Sequence, residues 1–235
     1  MYFTKTEQIL LAKLPRCVFT LDEVRGFARR YLIELLNRLV GKNALVRVKK
    51  GVYFVNAVQP DARFRIALAS GGYVGFASAL KHYGLVDEEL SRVFIATQNK
   101  RGLKPFTGFD VEYVPLYQDF YGIVESNGLR FSTMAKTFFD CLKKPNLAGG
   151  LDKLLRVFKT AHLSEENWRE LLYYLQASKS KSLNQKTGFL LQKIAPSWFL
   201  KKLLASVGKT AVVFLTYGSQ KGFDKNWGVY YGSRA

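Results

Sequence analysis

The chain has 235 residues, 48% hydrophobic and 14% aromatic, which is enough for one or two packed domains. No apolar run reaches the roughly 18 residues of a membrane span, and the start MYFTKTEQIL lacks the basic end, apolar stretch and cleavage site of a signal peptide, so a cytoplasmic protein is expected. Thirty-six Lys+Arg against 18 Asp+Glu give a net charge of +18, which concentrates polyanions; with no strongly basic amphipathic helix, a membrane surface ranks behind nucleic acid or an acidic protein as partner.

The first sixty residues hold 11 basic and 4 acidic side chains, a higher charge density than the rest. TKTEQILLAKL predicts a helix N-capped by Thr4 and ended near Leu14 by Pro15. FTLDEVRGFAR opens a second helix on Thr20, with Glu23 three residues on as in a capping box. RRYLIELLNRLVGKN carries Leu32, Leu35, Leu36 and Leu39 at helical spacing, with Gly41 as the expected stop. ALVRV, the turn KKG and VYFV then predict a two-stranded ribbon reversing at Gly51. Three short helices and a ribbon describe a winged helix-turn-helix over residues 1–60.

At about 100° per residue the leucines of the third helix point inward, so Arg30, Glu34 and Asn37 point outward, with Tyr31 and Arg38 on one flank. Asparagine suits adenine and arginine suits guanine in the major groove. On the ribbon, Val46 and Val48 alternate with Arg47 and Lys49, which puts valines down and cations out. The expected DNA-binding set is Arg29, Arg30, Tyr31, Glu34, Asn37, Arg38 and Lys42, joined by Arg47, Lys49 and Lys50 gripping phosphates. The competing reading is a protein-docking winged helix whose charges are merely solvated.

Residues 61–235 predict a mixed α/β body with a short sheet and several helices, making the whole chain α+β. DARFRIALASGG and GYVGFASALKHYGL read as helices, the latter ending at Gly84. RVFIAT and FDVEYVPL read as strands, and YGIVES with LRFS as a hairpin. Helices follow in TMAKTFFDCLKK, GGLDKLLRVFKT, SEENWRELLYYL, KTGFLLQKIA and SWFLKKLLASV, with TAVVFLT and WGVYYG as closing strands. The polar patch ASKSKSLNQK, residues 177–186, reads as an exposed loop. Lys179, Lys181, Lys186, Lys201 and Lys202 are candidates for a secondary nucleic-acid or partner surface.

Catalytic signals are weak. His82 and His162 form no metal-spaced cluster, and Cys17 and Cys141 read as separate buried thiols. GKT at Gly208–Thr210 needs a glycine at position 203 to complete a phosphate loop, and Leu203 stands there. SGGYVG lacks the strand-then-helix setting of a dinucleotide site. Ser178, Ser180 and Ser182 have no evident base. Asp110 and Glu112 share one strand face, the one arrangement that would suit a metal-dependent nuclease. No catalytic residue, metal or cofactor is expected.

GYVGFASALKHYGL, with its Gly-Tyr start, Ser78-Ala79-Leu80 and His-x-Gly ending, resembles the AbiEi family of antitoxin-regulators from type IV toxin–antitoxin (abortive-infection) systems. LLNRLVGKNALVRVKKGVYFV is similar to that family's helix-and-wing segment. RVFIAT, VEYVPL, FSTMAKTFFDCLKKPNLAGGLDKLLRVF, KTGFLLQ and NWGVYY resemble its later segments in order, covering most of the chain. Ala135 stands where the family usually carries a glutamate. The resemblance implies a transcriptional autorepressor whose winged helix binds double-stranded DNA at its own promoter repeats. It also implies an antitoxin domain counteracting a toxin of nucleotidyltransferase fold without a stable complex. The alternative is a transcription regulator whose second domain senses a ligand, with no toxin partner.

Overall fold

Thr4 and Glu7 start the fold reciprocally. The Glu7 carboxylate accepts from the Thr4 N–H at 2.7 Å, and the Thr4 hydroxyl accepts from the Glu7 N–H at 3.3 Å. This box opens α1 (Lys5–Lys13), and Leu14 caps its end. The computed structural model describes residues 2–14, 18–26, 31–55, 62–69, 71–88, 90–106, 109–126, 128–208, 211–216 and 221–232.

Strand β1 (Val18–Thr20) leads into the short α2 (Leu21–Val24), where the Glu23 carboxylate accepts from the Thr20 N–H. Helix α3 (Leu32–Gly41) buries Leu32, Leu35, Leu36 and Leu39. Gly41 belongs to its last turn and is not the stop. Asn43 takes the left-handed position at φ 51, with Ala44 N–H on Leu39 O and Asn43 N–H on Val40 O, both 2.9 Å. That is a Schellman ending, in which asparagine serves where glycine was expected. The ribbon is β2 (Leu45–Lys49) and β3 (Val52–Val55), reversing at Gly51 with φ 74. It is three-stranded, in the order β1-β3-β2, because Val18–Thr20 pairs antiparallel with β3.

The ribbon lends one face to each of two cores. Leu45 and Tyr53 pack with Leu10, Phe19, Leu36 and Leu39 in the N-terminal core. Val46, Val48, Val52 and Phe54 pack the other way, against Ile66, Val93, Val111 and Phe131. The valines therefore pack on the second body and not down onto the helices. The Lys104 ammonium adds a hydrogen bond to the Val48 carbonyl.

The second body is built on a mixed sheet larger than the short one expected. Its strands are β4 (Tyr73–Val74), β5 (Arg92–Thr97), β6 (Gly102–Phe106), β7 (Phe109–Pro115), β8 (Ile123–Ser126) and β9 (Leu129–Ser132). They lie in the order β6-β7-β5-β4-β9-β8, with β5/β7 and β4/β9 parallel. Alternation sends Val93, Ile95, Val111 and Phe131 toward α4 (Ala62–Leu68) and the ribbon. The opposite face meets α5 (Phe76–His82) and α6 (Met134–Lys143), and α7 (Leu151–Thr160), α8 (Glu165–Ala177), α9 (Lys181–Leu191) and α10 (Ser197–Val207) share the same core. Helix α5 is shorter than GYVGFASALKHYGL implied, since Tyr73–Val74 is the central strand β4.

The patch 177–186 is not all loop. Ser180 caps α9 by accepting from the Leu183 N–H at 3.3 Å, so residues from Lys181 onward are helical and bury Asn184 and Gln185. A small sheet of β10 (Val213–Leu215), β11 (Gly222–Asp224) and β12 (Val229–Tyr231) closes the chain in the order β10-β12-β11. Gly188 lets α9 approach it: an added Cβ would lie 2.1 Å from the Trp227 ring.

Candidate nucleic-acid interface

Helix α3 buries its leucine stripe and turns Tyr31, Glu34, Asn37 and Arg38 to solvent. Ile33 joins them, 58% exposed, a residue that a search for polar base-readers passes over. It stands about 110° round from the leucine stripe, on the flank opposite Tyr31 and Arg38, so rotation alone would have flagged it. An exposed aliphatic group beside Asn37, one turn away, is chemically suited to a thymine methyl.

On the ribbon, Arg47 is the register partner of Tyr53. It therefore sits on the side facing the helices, beyond the packed Leu45. Arg47 and Lys50 are exposed, and among the described residues neither has an ion-pair partner. Lys49 lies in β2 at an irregularity of the pairing between Arg47 and Lys49; its side chain, like Arg29 and Arg30, is outside what the structure describes.

Lys42 departs from its expected role. Its ammonium bonds the buried Glu7 carboxylate at 2.8 Å and the Tyr2 carbonyl at 3.0 Å, and lies 5.5 Å from the Phe3 ring. The Lys42 bond, followed by the Thr4 N–H, holds the Glu7 carboxyl down to about 2. Lys42 is thus a strut pinning the first helix to the end of α3.

The five C-terminal lysines are not gathered into one site. Lys179, Lys181, Lys201 and Lys202 are exposed, and Lys186 is half-buried. Lys202 lines a cavity beside Glu165, Arg169 and Trp198, whereas Lys186 lines a separate one beside Lys143, Ser180 and Thr187.

Asp110 and Glu112 are neutralised from the neighbouring strand. Arg92 reaches Glu112 at 2.7 Å and Asp110 at 3.9 Å. No group of three or more metal-ligating side chains occurs among the described residues. His82 is stacked on Phe131 at 3.6 Å between ring centroids. Cys141 is buried, and burial pushes its thiol pKa up; Cys17 lies outside the described residues. An open cleft of about 700 Å³ is lined by Arg92, Arg101, Lys143 and Lys144 among others. Burial, and then the charges of Arg101 and Lys143, push the Lys144 ammonium below its ordinary value.

The AKT segment falls in the core. Lys136 and Asp140 are both fully buried and paired on α6, and Tyr73 donates to the second Asp140 oxygen at 3.0 Å. Burial raises the Asp140 carboxyl to about 6, against the opposing pull of Lys136 and of the Tyr73 hydroxyl. Lys136, Asp140 and Tyr73 are each without solvent exposure, so the cluster lies in the interior of the second body. Ala135 is also fully buried, among apolar side chains.

Compared with known protein families and with curated proteins, the chain matches none. No helix among the described residues is long and apolar enough to cross a membrane.

Proposed function

We propose that the chain is a sequence-specific regulator that binds duplex DNA through residues 1–60 acting as a winged helix-turn-helix. One observation carries this reading. The exposed face of α3 offers Asn37, Arg38 and Ile33, and the exposed cations Arg47 and Lys50 stand on the helix-facing side and at the tip of the adjoining ribbon. That division suits base readout by the helix and phosphate contact by the wing. The +18 charge supplies the non-specific attraction such a protein needs.

The test is the salt dependence of binding by the full chain to the DNA upstream of its gene. Replacing Arg47 and Lys50 together by Ala lowers the slope of log K against log salt by about two units, since each lost phosphate contact removes about 0.9. An unchanged slope would take the wing off the phosphates.

Resemblance to the AbiEi family extends the proposal to autorepression and to an antitoxin role for residues 61–235 against a nucleotidyltransferase-like toxin. Co-expression with the neighbouring gene tests it. Growth rescue that survives in the Arg47/Lys50 double variant supports neutralisation by the second body, and loss of rescue with loss of DNA binding points to repression alone. The cation-lined cleft at Arg101 and Lys144 favours the ligand-sensing alternative, which a neighbouring metabolic gene in place of a toxin would support.

A further inference from the structure

The closing sheet has two unlike faces. Its inner face is ordinary core: Leu215 and Val229 are buried and pack into the same cluster as Trp227. Its outer face carries three aromatic rings in one row. Phe214 of β10 and Phe223 of β11 are both register partners of Tyr230 of β12. Phe214 is 68% exposed, Tyr230 45% and Phe223 40%. The ring centroids lie 5.3 Å apart for Phe214–Tyr230, at an interplanar angle of 15°, and 4.5 Å apart for Phe223–Tyr230, at 34°. The exposed Lys221 and Lys225 flank β11, one residue before its start and one after its end.

Among the described residues these three cross-strand aromatic side chains stack on one another and leave a large apolar exposure on the outer face. Two occupants fit an aromatic row: a second copy of the sheet, or a ligand with its own flat rings. A second copy would bring two lysine pairs and two +18 chains together, which charge repulsion opposes. Unpaired nucleobases stack on such rings while their phosphates meet the flanking lysines, satisfying both parts of the face. Duplex DNA does not, because its bases are already stacked on each other.

We infer that the outer face of this sheet is a binding platform for single-stranded nucleic acid, with bases on Phe214, Tyr230 and Phe223 and the backbone on Lys221 and Lys225. It is distinct from the duplex contact of α3 and the ribbon, so either site can fail without the other.

The experiment is anisotropy with labelled twelve-nucleotide oligo(dT) and oligo(U), and with a duplex of equal length, using the full chain. Phe214→Ala with Tyr230→Ala is expected to weaken oligonucleotide binding about ten-fold or more, given the strength of base–aromatic stacking. The Tyr230→Phe variant, which keeps the ring, binds like the parent, and duplex affinity is unchanged in both. Oligo(dU) compared with oligo(U), which differs from it only at the sugar, then shows whether the face prefers the deoxyribose or the ribose strand. Equal oligonucleotide affinity in the parent and the double Ala variant would overturn the inference. So would a parent that sediments as a dimer and a double variant that sediments as a monomer, since a second copy would then cover the face.

Discussion

Replacing Lys136 by Met tests how the centre of the second body is held. The Lys136 ammonium is bonded to Asp140 and lies 5.2 Å from the ring centroid of the buried Phe139, 5.9 Å from that of the buried Tyr73 and 5.0 Å from that of the half-buried Tyr121. Methionine fills similar volume but leaves the Asp140 carboxylate with the Tyr73 hydroxyl as its remaining side-chain donor. Removing one partner of a buried pair costs about 3–5 kcal/mol, because the other charge stays desolvated. The cost has a pH signature. With Lys136 present the Asp140 carboxyl already stands at about 6, above its ordinary 3.8, and without the lysine it stands higher. A carboxyl raised on folding favours the fold when protonated; that contribution is complete below its unfolded value and is lost as pH rises through the folded one. Lys136→Met therefore costs its full amount near pH 8 and much less near pH 5. Asp140→Asn has the opposite dependence, because it leaves an ammonium whose burial penalty is relieved by deprotonation at high pH. The double variant should cost less than the sum of the two. Urea unfolding of all four chains at pH 5 and pH 8 gives the cycle. Single variants within about 0.5 kcal/mol of the parent, or a Lys136→Met cost independent of pH, would refute this account.

Gly188→Ala pushes a methyl into the Trp227 ring and should cost about 1–3 kcal/mol in thermal melts; Trp227→Phe in the same chain withdraws the clashing atoms and recovers part of the loss. Lys42→Met removes the main support of the low Glu7 pKa. Stability from a depressed carboxyl is present above its unfolded value near 4.5 and lost as pH falls through about 2, so the variant's acid transition, followed by circular dichroism, moves to higher pH. Its salt slope on DNA stays that of the parent, whereas a shallower slope would return Lys42 to the phosphate contacts. Asn37→Ala should cost about 1–3 kcal/mol on the native upstream sequence and little on random duplex; equal losses on both would make Asn37 a positioning residue.

Strongly periodic segments were legible in the sequence, and short or two-faced ones were not. The Thr4 and Thr20 starts, the leucine face of α3, the helices α6, α7, α8 and α10 and the second half of α9 follow from capping and spacing of single segments. Strands β1, β4, β6 and β11 escaped because two to five residues carry little alternation, and β4 hides in front of a helix. Alternation separates the two faces of the ribbon without saying what covers each, so it points Val46 and Val48 at the wrong core. Lys42 looked like a phosphate contact until Glu7, 35 residues away, was brought to it by the fold. The aromatic row is invisible in sequence for the same reason: Phe214, Phe223 and Tyr230 meet only through strand register.

The central claim is tested most directly by anisotropy of the full chain on the DNA upstream of its gene and on a scrambled duplex, each over a salt series. The account predicts binding to the native sequence that persists at salt concentrations where the scrambled duplex is released. Equal and equally salt-sensitive binding to both would contradict it, and would leave the +18 charge as a general affinity for polyanions.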